Sequence, residues 1–199
     1  MFLLRHGAVE PETPWRYLGQ RDLPLCLAGR GQAALWRETL STVDFSFACT
    51  SDLTRCQATA QAVLAGRALT ARPLPALREI DLGQWDGLTR QEVRERHPGQ
   101  YEARGVRIAD YRTPGGESFR DVAGRAVAGL APILDTAQGD VLAVSHAGTI
   151  RALVCALVGL PLERLFHLGQ GACCLSILER GGDGWVLTAL NLPPGSGLP

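Results

Sequence analysis

Lysine is absent from this 199-residue chain, and all twenty of its basic residues are arginine. That excludes a Schiff-base lysine, a pyridoxal phosphate enzyme of the usual kind and a Walker-A nucleotide site. An excess of charge is missing too. Twenty arginines meet twenty acids, for a formal net charge of zero and a pI near 6.9. A nucleic-acid partner would call for a basic excess. No run approaches the roughly 18 apolar residues of a membrane-spanning helix. The opening Phe2-Leu3-Leu4 gives way at once to Arg5-His6, too short for the apolar segment of about 7–15 residues in a secretion signal. None of the six cysteines forms a C-x-x-C pair, and Cys49 and Cys155 lie in apolar runs. These features predict reduced, buried thiols in a cytoplasmic protein. No cluster has metal-ligand spacing, so neither a metal nor another cofactor is expected.

What is present reads as one domain over residues 1–192 with a loose Pro/Gly-rich tail over 193–199. Phe2-Leu3-Leu4, Phe45 to Cys49 and Val141 to Ser145 are short apolar runs that suit buried strands. Helical spacing marks Ala28 to Leu40, the set Leu53, Cys56, Ala60, Val63 and Leu64, and the set Ile150, Leu153, Val154, Leu157 and Val158. Ser51-Asp52 is the expected cap of the second helix. Thr89 with Glu92 fits a capping box, and Pro98 should stop that helix. The clearest stripe runs from Phe119 to Leu134 behind Ser118, with Pro132 expected to kink it or end it early. Cys173 to Leu178 and Trp185 to Leu190 read as late strands joined by Gly181-Gly182-Asp183-Gly184. Strands alternating with helices give the class α/β: a three-layer α/β/α sandwich with a mostly parallel central sheet.

Two of the four histidines follow predicted strands directly, His6 in Arg5-His6-Gly7 and His146 in Ser145-His146-Ala147-Gly148. Ligands of open α/β sheets bind beyond the carboxyl ends of the strands, so the two can meet over one site. His97 and His167 have no such placement. Arg5 and Arg55 stand where an anion site wants guanidinium forks, and the helix opening after His146 offers free backbone donors. Such a pocket suits a phosphoryl group. Between Arg78 and Gly87 lie three acids, Glu79, Asp81 and Asp86, among apolar residues and glycines. A carboxyl in such surroundings can serve as a general acid, and the sequence does not choose among the three.

With these residues on the page, the chain resembles the histidine phosphatase superfamily, which includes cofactor-dependent phosphoglycerate mutases. Six blocks in order carry the likeness: Leu3-Leu4-Arg5-His6-Gly7, Gly19 to Leu25 with Gly29 and Gln32-Ala33, Thr50 to Ala60, Leu77 to Ile80 with Gly83 and Trp85-Asp86-Gly87, Pro114 to Ser118, and Val144 to Gly148. The resemblance implies that His6 takes up the phosphoryl group. It makes Arg5, Arg55 and His146 the holders of its oxygens, and Glu79 the proton donor to the leaving group and then the base for water. The family usually shows an acid, a threonine and an asparagine where this chain has Ala8, Val9 and Glu12. Mutases carry a longer, basic insertion, whereas only the 66 residues at positions 80 to 145 separate Glu79 from His146. A phosphatase of a small phosphorylated metabolite is therefore expected. Tyr17-Leu18-Gly19-Gln20 and the ending Ala189-Leu190-Asn191-Leu192 are similar to α-ribazole phosphatases of cobalamin synthesis. The alternatives are a mutase-like phosphoryl transferase, a catalytically weak regulatory member and a zinc hydrolase using His6 and His146. Expected substrate contacts are Gly7, Trp15, Arg16, Tyr17, Gln20, Arg21 and Ala147, with Trp15 and Tyr17 offering flat faces to an aromatic base. No nucleic-acid or membrane partner is expected, and assembly as a homodimer stays open.

Overall fold

A computed structural model describes all residues from Met1 to Pro199. The elements follow in the order β1 (Phe2–Arg5), α1 (Leu27–Thr39), β2 (Phe45–Thr50), α2 (Thr54–Val63), β3 (Arg72–Pro73), α3 (Arg90–Arg96), α4 (Gln100–Val106), α5 (Phe119–Thr136), β4 (Asp140–Ser145), α6 (Ala147–Val158), β5 (Leu175–Gly181) and β6 (Gly184–Leu192). The six strands form one sheet in the order β3-β2-β4-β1-β5-β6. β1, β2, β3 and β4 run parallel. β5 alone opposes them, and β6 turns back along it.

Alternation along the strands builds the two core faces. Phe2, Leu4, Leu142 and Val144 join Trp36, Leu40, Cys56 and Ala60 beneath α1 and α2. Leu3, Val141 and Ala143 join Ala126, Leu130, Ile150 and Leu153 beneath α5 and α6. The period of two in β1 and β4 thus meets a helical stripe on each side, which makes the three layers. A third cluster around Trp85, Val93, Phe119 and Val122 supports the short helices α3 and α4 beside the sheet. Truncating a fully buried core side chain such as Leu142 or Leu130 should cost about 2–5 kcal/mol.

Several expectations change in detail. Pro132 does not end α5, which runs on to Thr136. Ala128, whose carbonyl loses the proline's missing bond, is exposed along with Pro132, so water can take the vacancy. Ser51 does not cap α2. The cap comes from across the chain, because Asp22 Oδ1 accepts from the Thr54 N–H and the Thr54 hydroxyl, each at 2.8 Å. The two expected capping boxes, Thr89 with Glu92 and Ser118 with Asp121, both form. β3 and α4 carried no periodicity in the sequence. Leu198 in the tail packs against the first core cluster. All six cysteines are free thiols.

Candidate active site

Three neighbouring parallel strands deliver the site. β1 ends at Arg5 and hands on His6, β4 ends at Ser145 and hands on His146, and β2 ends at Thr50 just before Ser51 and α2. Backbone bonds lock the ends together: the His6 N–H donates to the Ser145 carbonyl at 3.0 Å, and the Ser51 N–H to the Val144 carbonyl at 2.9 Å. The His6 and His146 rings meet edge to face with centroids 5.1 Å apart. The pairing expected from the sequence is thus present, while His97 packs beside Trp85 and His167 stays exposed.

Hydrogen bonds fix how each imidazole is used. His6 Nδ1 lies 2.7 Å from the carbonyl of Gly7. A carbonyl only accepts, so the proton sits on Nδ1 and Nε2 keeps its lone pair. Burial, reinforced by Arg5 and Arg55, pulls the His6 pKa down to about 3. The ring is therefore a neutral base with one free nitrogen. His146 is fully buried. Arg55 Nε donates to its Nδ1 at 3.3 Å, and its Nε2 stands 2.9 Å from Ser51 Oγ. Burial, then His6 and Arg55, hold His146 well below the usual histidine range.

The arginines differ in what they have left to give. Arg55 donates to the carbonyls of Arg21 at 2.6 Å and Gly19 at 3.0 Å, so it also clamps the loop that overhangs the site. Arg5 donates through one terminal nitrogen to the Gln170 carbonyl at 2.8 Å, and its Nε is buried without a partner. An orphaned charged donor is costly unless something fills it, and an anion beside His6 would do so.

Geometry separates the three acids. Glu79 faces the cavity, and its carboxylate rests on the start of α6. There Oε2 accepts from the Gly148 N–H at 3.1 Å and Oε1 from the Thr149 N–H at 3.2 Å. The sequence reading assigned those donors to an anion in the pocket; the Glu79 carboxylate takes them instead, as a helix N-terminus favours. Asp81 Oδ1 accepts from the Gly83 N–H and closes a turn. Asp86 packs against Gly19, its Oδ1 lacks a partner, and burial raises its pKa to about 6. Glycine at 148 leaves room for this carboxylate, since a Cβ would stand 2.5 Å from Glu79 Oε1.

These groups open into a cavity of about 520 Å³ whose walls include Arg5, His6, Trp15, Arg16, Tyr17, Arg55, Glu79 and Ala147. Trp15 and Tyr17 stack edge to face at 4.9 Å. Arg16 is already bonded to Glu92 and to the Gly87 carbonyl. Three expected contacts lie off the wall. Gly7 is wedged against the Gly29 backbone and donates to Thr59. Gln20 bonds the Glu79 carbonyl. Arg21 pairs through two bonds with Glu12, the residue standing in place of the family's asparagine. The sequence reading named Ser51 only as a helix cap and did not single out Thr149, Arg104 or Arg151. For Arg151 a signal existed, since it follows Ala147 by four residues on the helix that His146 opens. No group of three His, Cys, Asp or Glu side chains comes together to hold a metal ion. No helix is long and apolar enough to cross a membrane.

Comparison with known proteins agrees with this architecture. The chain is 27% identical over 192 residues to an adenosylcobalamin/alpha-ribazole phosphatase of Escherichia coli, spanning 96% of this chain and 95% of that one. It is 31% identical over 187 residues to a probable phosphoglycerate mutase GpmB of Salmonella choleraesuis, spanning 94% and 87%. The structure of a mycobacterial glucosyl-3-phosphoglycerate phosphatase complexed with VO3 superposes with a TM-score of 0.85 at 32% identity, covering 96% of this chain and 98% of that one. The family model of the histidine phosphatase superfamily (branch 1) matches residues 1–193. With that match over nearly the whole chain, the paired histidines at the strand ends belong to an enzyme of phosphatase type, and the chain belongs to the histidine phosphatase superfamily.

Proposed function

We propose that this enzyme hydrolyses a small phosphomonoester through a phosphohistidine on His6. One observation carries the reading: His6 is a neutral imidazole whose Nδ1 is occupied and whose Nε2 is free, set between Arg5 and Arg55 at a cavity wall. In the first half, Nε2 attacks phosphorus, the N–P bond forms and the P–O bond to the alcohol breaks. Glu79 gives the departing oxygen its proton. In the second half, Glu79 takes a proton from water, the water oxygen attacks phosphorus, and inorganic phosphate leaves His6 as it was. Arg5 Nε and Arg55 stabilise charge spread over the phosphoryl oxygens, a role fitted to preorganised buried donors, while His146, whose ring nitrogens meet Arg55 and Ser51, holds Arg55 in position. Splitting one displacement into two lowers each barrier. None of these steps calls on a metal or another cofactor.

For the finer identity of the ester, the edge-to-face pair of Trp15 and Tyr17 supports an aromatic base such as that of α-ribazole 5′-phosphate. The six unpaired thiols support a reducing, cytoplasmic setting. The test is turnover of p-nitrophenyl phosphate. Wild type should hydrolyse it, and His6→Ala, folded by circular dichroism, should not. Equal turnover by the two would overturn the proposal.

A further inference from the structure

A side chain that must meet a reacting atom needs a fixed main chain behind it. Most residues of the site take theirs from the fold: Arg5 ends β1, His6 and His146 follow strands joined by backbone bonds, and Arg55 lies in α2. Glu79 does not. It stands in the stretch from Arg78 to Leu82, outside every helix and strand. The neighbouring Ile80 N–H turns back onto the Glu79 carboxylate itself, at 3.0 Å from Oε1. The Glu79 carbonyl is held by two side chains instead. Gln20 Nε2 donates to it at 3.0 Å, and Arg125, on α5, donates to it at 3.0 Å.

Gln20 is itself the middle of a fixed tripeptide. The carbonyls on either side of it, those of Gly19 and Arg21, both accept from Arg55, at 3.0 and 2.6 Å. Gly19 is buried at φ +47°, and a Cβ there would stand 1.8 Å from Asp86 Oδ1, so glycine lets the chain take this path. The next residue, Asp22, caps α2. The Gln20 amide has one orientation: its Oε1 accepts from Arg78 at 3.4 Å, and the Glu79 carbonyl can only accept from its nitrogen. Arg55 spends Nε on His146 and each terminal nitrogen on one of the two flanking carbonyls, which leaves the second N–H of each terminal nitrogen for a phosphoryl group. One tripeptide thus grips the phosphoryl holder through its backbone and the proton donor through its middle side chain. The reach of Gln20 sets the spacing between the two.

We propose that Gln20 is a positioning residue for Glu79, which registers the proton donor against Arg55 so that the acid meets the leaving oxygen of a phosphoryl group that Arg55 holds. It acts through Glu79 and not on the substrate. This rests on the phosphatase reading of the site and deepens it.

The test uses Gln20→Met, which keeps the length of the side chain and removes the donor. The readout is kcat/KM for benzyl phosphate divided by kcat/KM for p-nitrophenyl phosphate. Both values report the steps up to phosphoryl transfer to His6, and only the benzyl alkoxide needs a proton to leave. A ratio within one variant also cancels any loss of folded protein. A displacement of about 1 Å can cost about 10²-fold, and Arg125 keeps its own bond to the carbonyl, so the ratio should fall about 10-fold. On a Glu79→Gln background, where there is no acid to aim, Gln20→Met should lower the ratio no further. A ratio unchanged in Gln20→Met overturns the inference, since a loss passing through Arg55 would fall on both esters alike. A second fall of the same size on the Glu79→Gln background overturns it too, because the two effects would then be independent. Wild type that hydrolyses p-nitrophenyl phosphate and not benzyl phosphate has no working proton donor, which overturns this inference alone. Wild type that hydrolyses neither overturns the phosphatase reading and this inference with it.

Discussion

Mild acid should destabilise this enzyme through His6 and His146 before most of its carboxylates titrate. Both rings are buried beside arginines, and His6 is held near 3 against an ordinary 6.5. The unfolded chain takes up a proton at each ring below 6.5 that the native state refuses. The associated stability is complete above 6.5 and is lost as pH falls toward the folded value, at about 1.4 kcal/mol per pH unit for each fully coupled group. Between pH 6 and 5 the His6 ring alone should remove about 1.2 kcal/mol, and His146 adds to the loss in the same direction. Asp86 works in the opposite sense. Its folded pKa of about 6 lies above the ordinary 3.8, so the native state holds that proton more tightly and gains stability as pH falls through the window. Asp86 is half-buried and partly screened, so its offset is smaller than the roughly 1 kcal/mol of full coupling. The net change from pH 6 to 5 is therefore a loss of stability. Urea unfolding in phosphate-free buffer measures it directly. His6→Asn should reduce the loss by about 1.2 kcal/mol, and Asp86→Asn should increase it. A wild-type stability that is flat or rises from pH 6 to 5, or a slope that His6→Asn leaves unchanged, would refute the reasoning.

Three further outcomes follow from the same geometry. Glu79→Gln should cost about 10²- to 10⁴-fold on an alkyl phosphate and less on p-nitrophenyl phosphate, whose phenolate leaves unaided; equal losses measured on both would assign Glu79 a structural part. In Gly148→Ala the new Cβ would stand 2.5 Å from Glu79 Oε1, and the flexible carboxylate must yield. Displacing the proton donor by about 1 Å should lower kcat on alkyl esters by about 10²-fold with the melting temperature little changed, and an unaltered kcat would contradict the placement of Glu79. Dialysis against a chelator should leave p-nitrophenyl phosphate turnover intact, whereas a loss restored by zinc would favour the metal-hydrolase alternative.

The central layers were legible because β1 and β4 alternate between two apolar faces while α5 and α6 each carry a stripe that matches one of them. β3 was not legible: two residues, Arg72 and Pro73, have no period to read. Nor was α4, which starts after a left-handed Gly99 with no side-chain cap. Pro132 misled because its cost depends on whether the orphaned carbonyl meets water, a matter of tertiary placement. The cap of α2 misled in the same way, since Asp22 reaches it from 32 residues away. At the site, strand ends and the order of motifs brought His6, His146, Arg5 and Arg55 together on paper. The choice among Glu79, Asp81 and Asp86 was beyond spacing, because all three share one apolar stretch and only the fold turns Glu79 toward the cavity.

The most direct test of the account is to trap the covalent enzyme. Wild type mixed with a 32P-labelled phosphomonoester and quenched within a turnover should carry label that survives alkali and is released by acid, as a phosphoramidate bond requires. Peptide mapping should place that label on His6, and His6→Ala should carry none. Label on another residue, or rapid turnover by His6→Ala, would contradict the account.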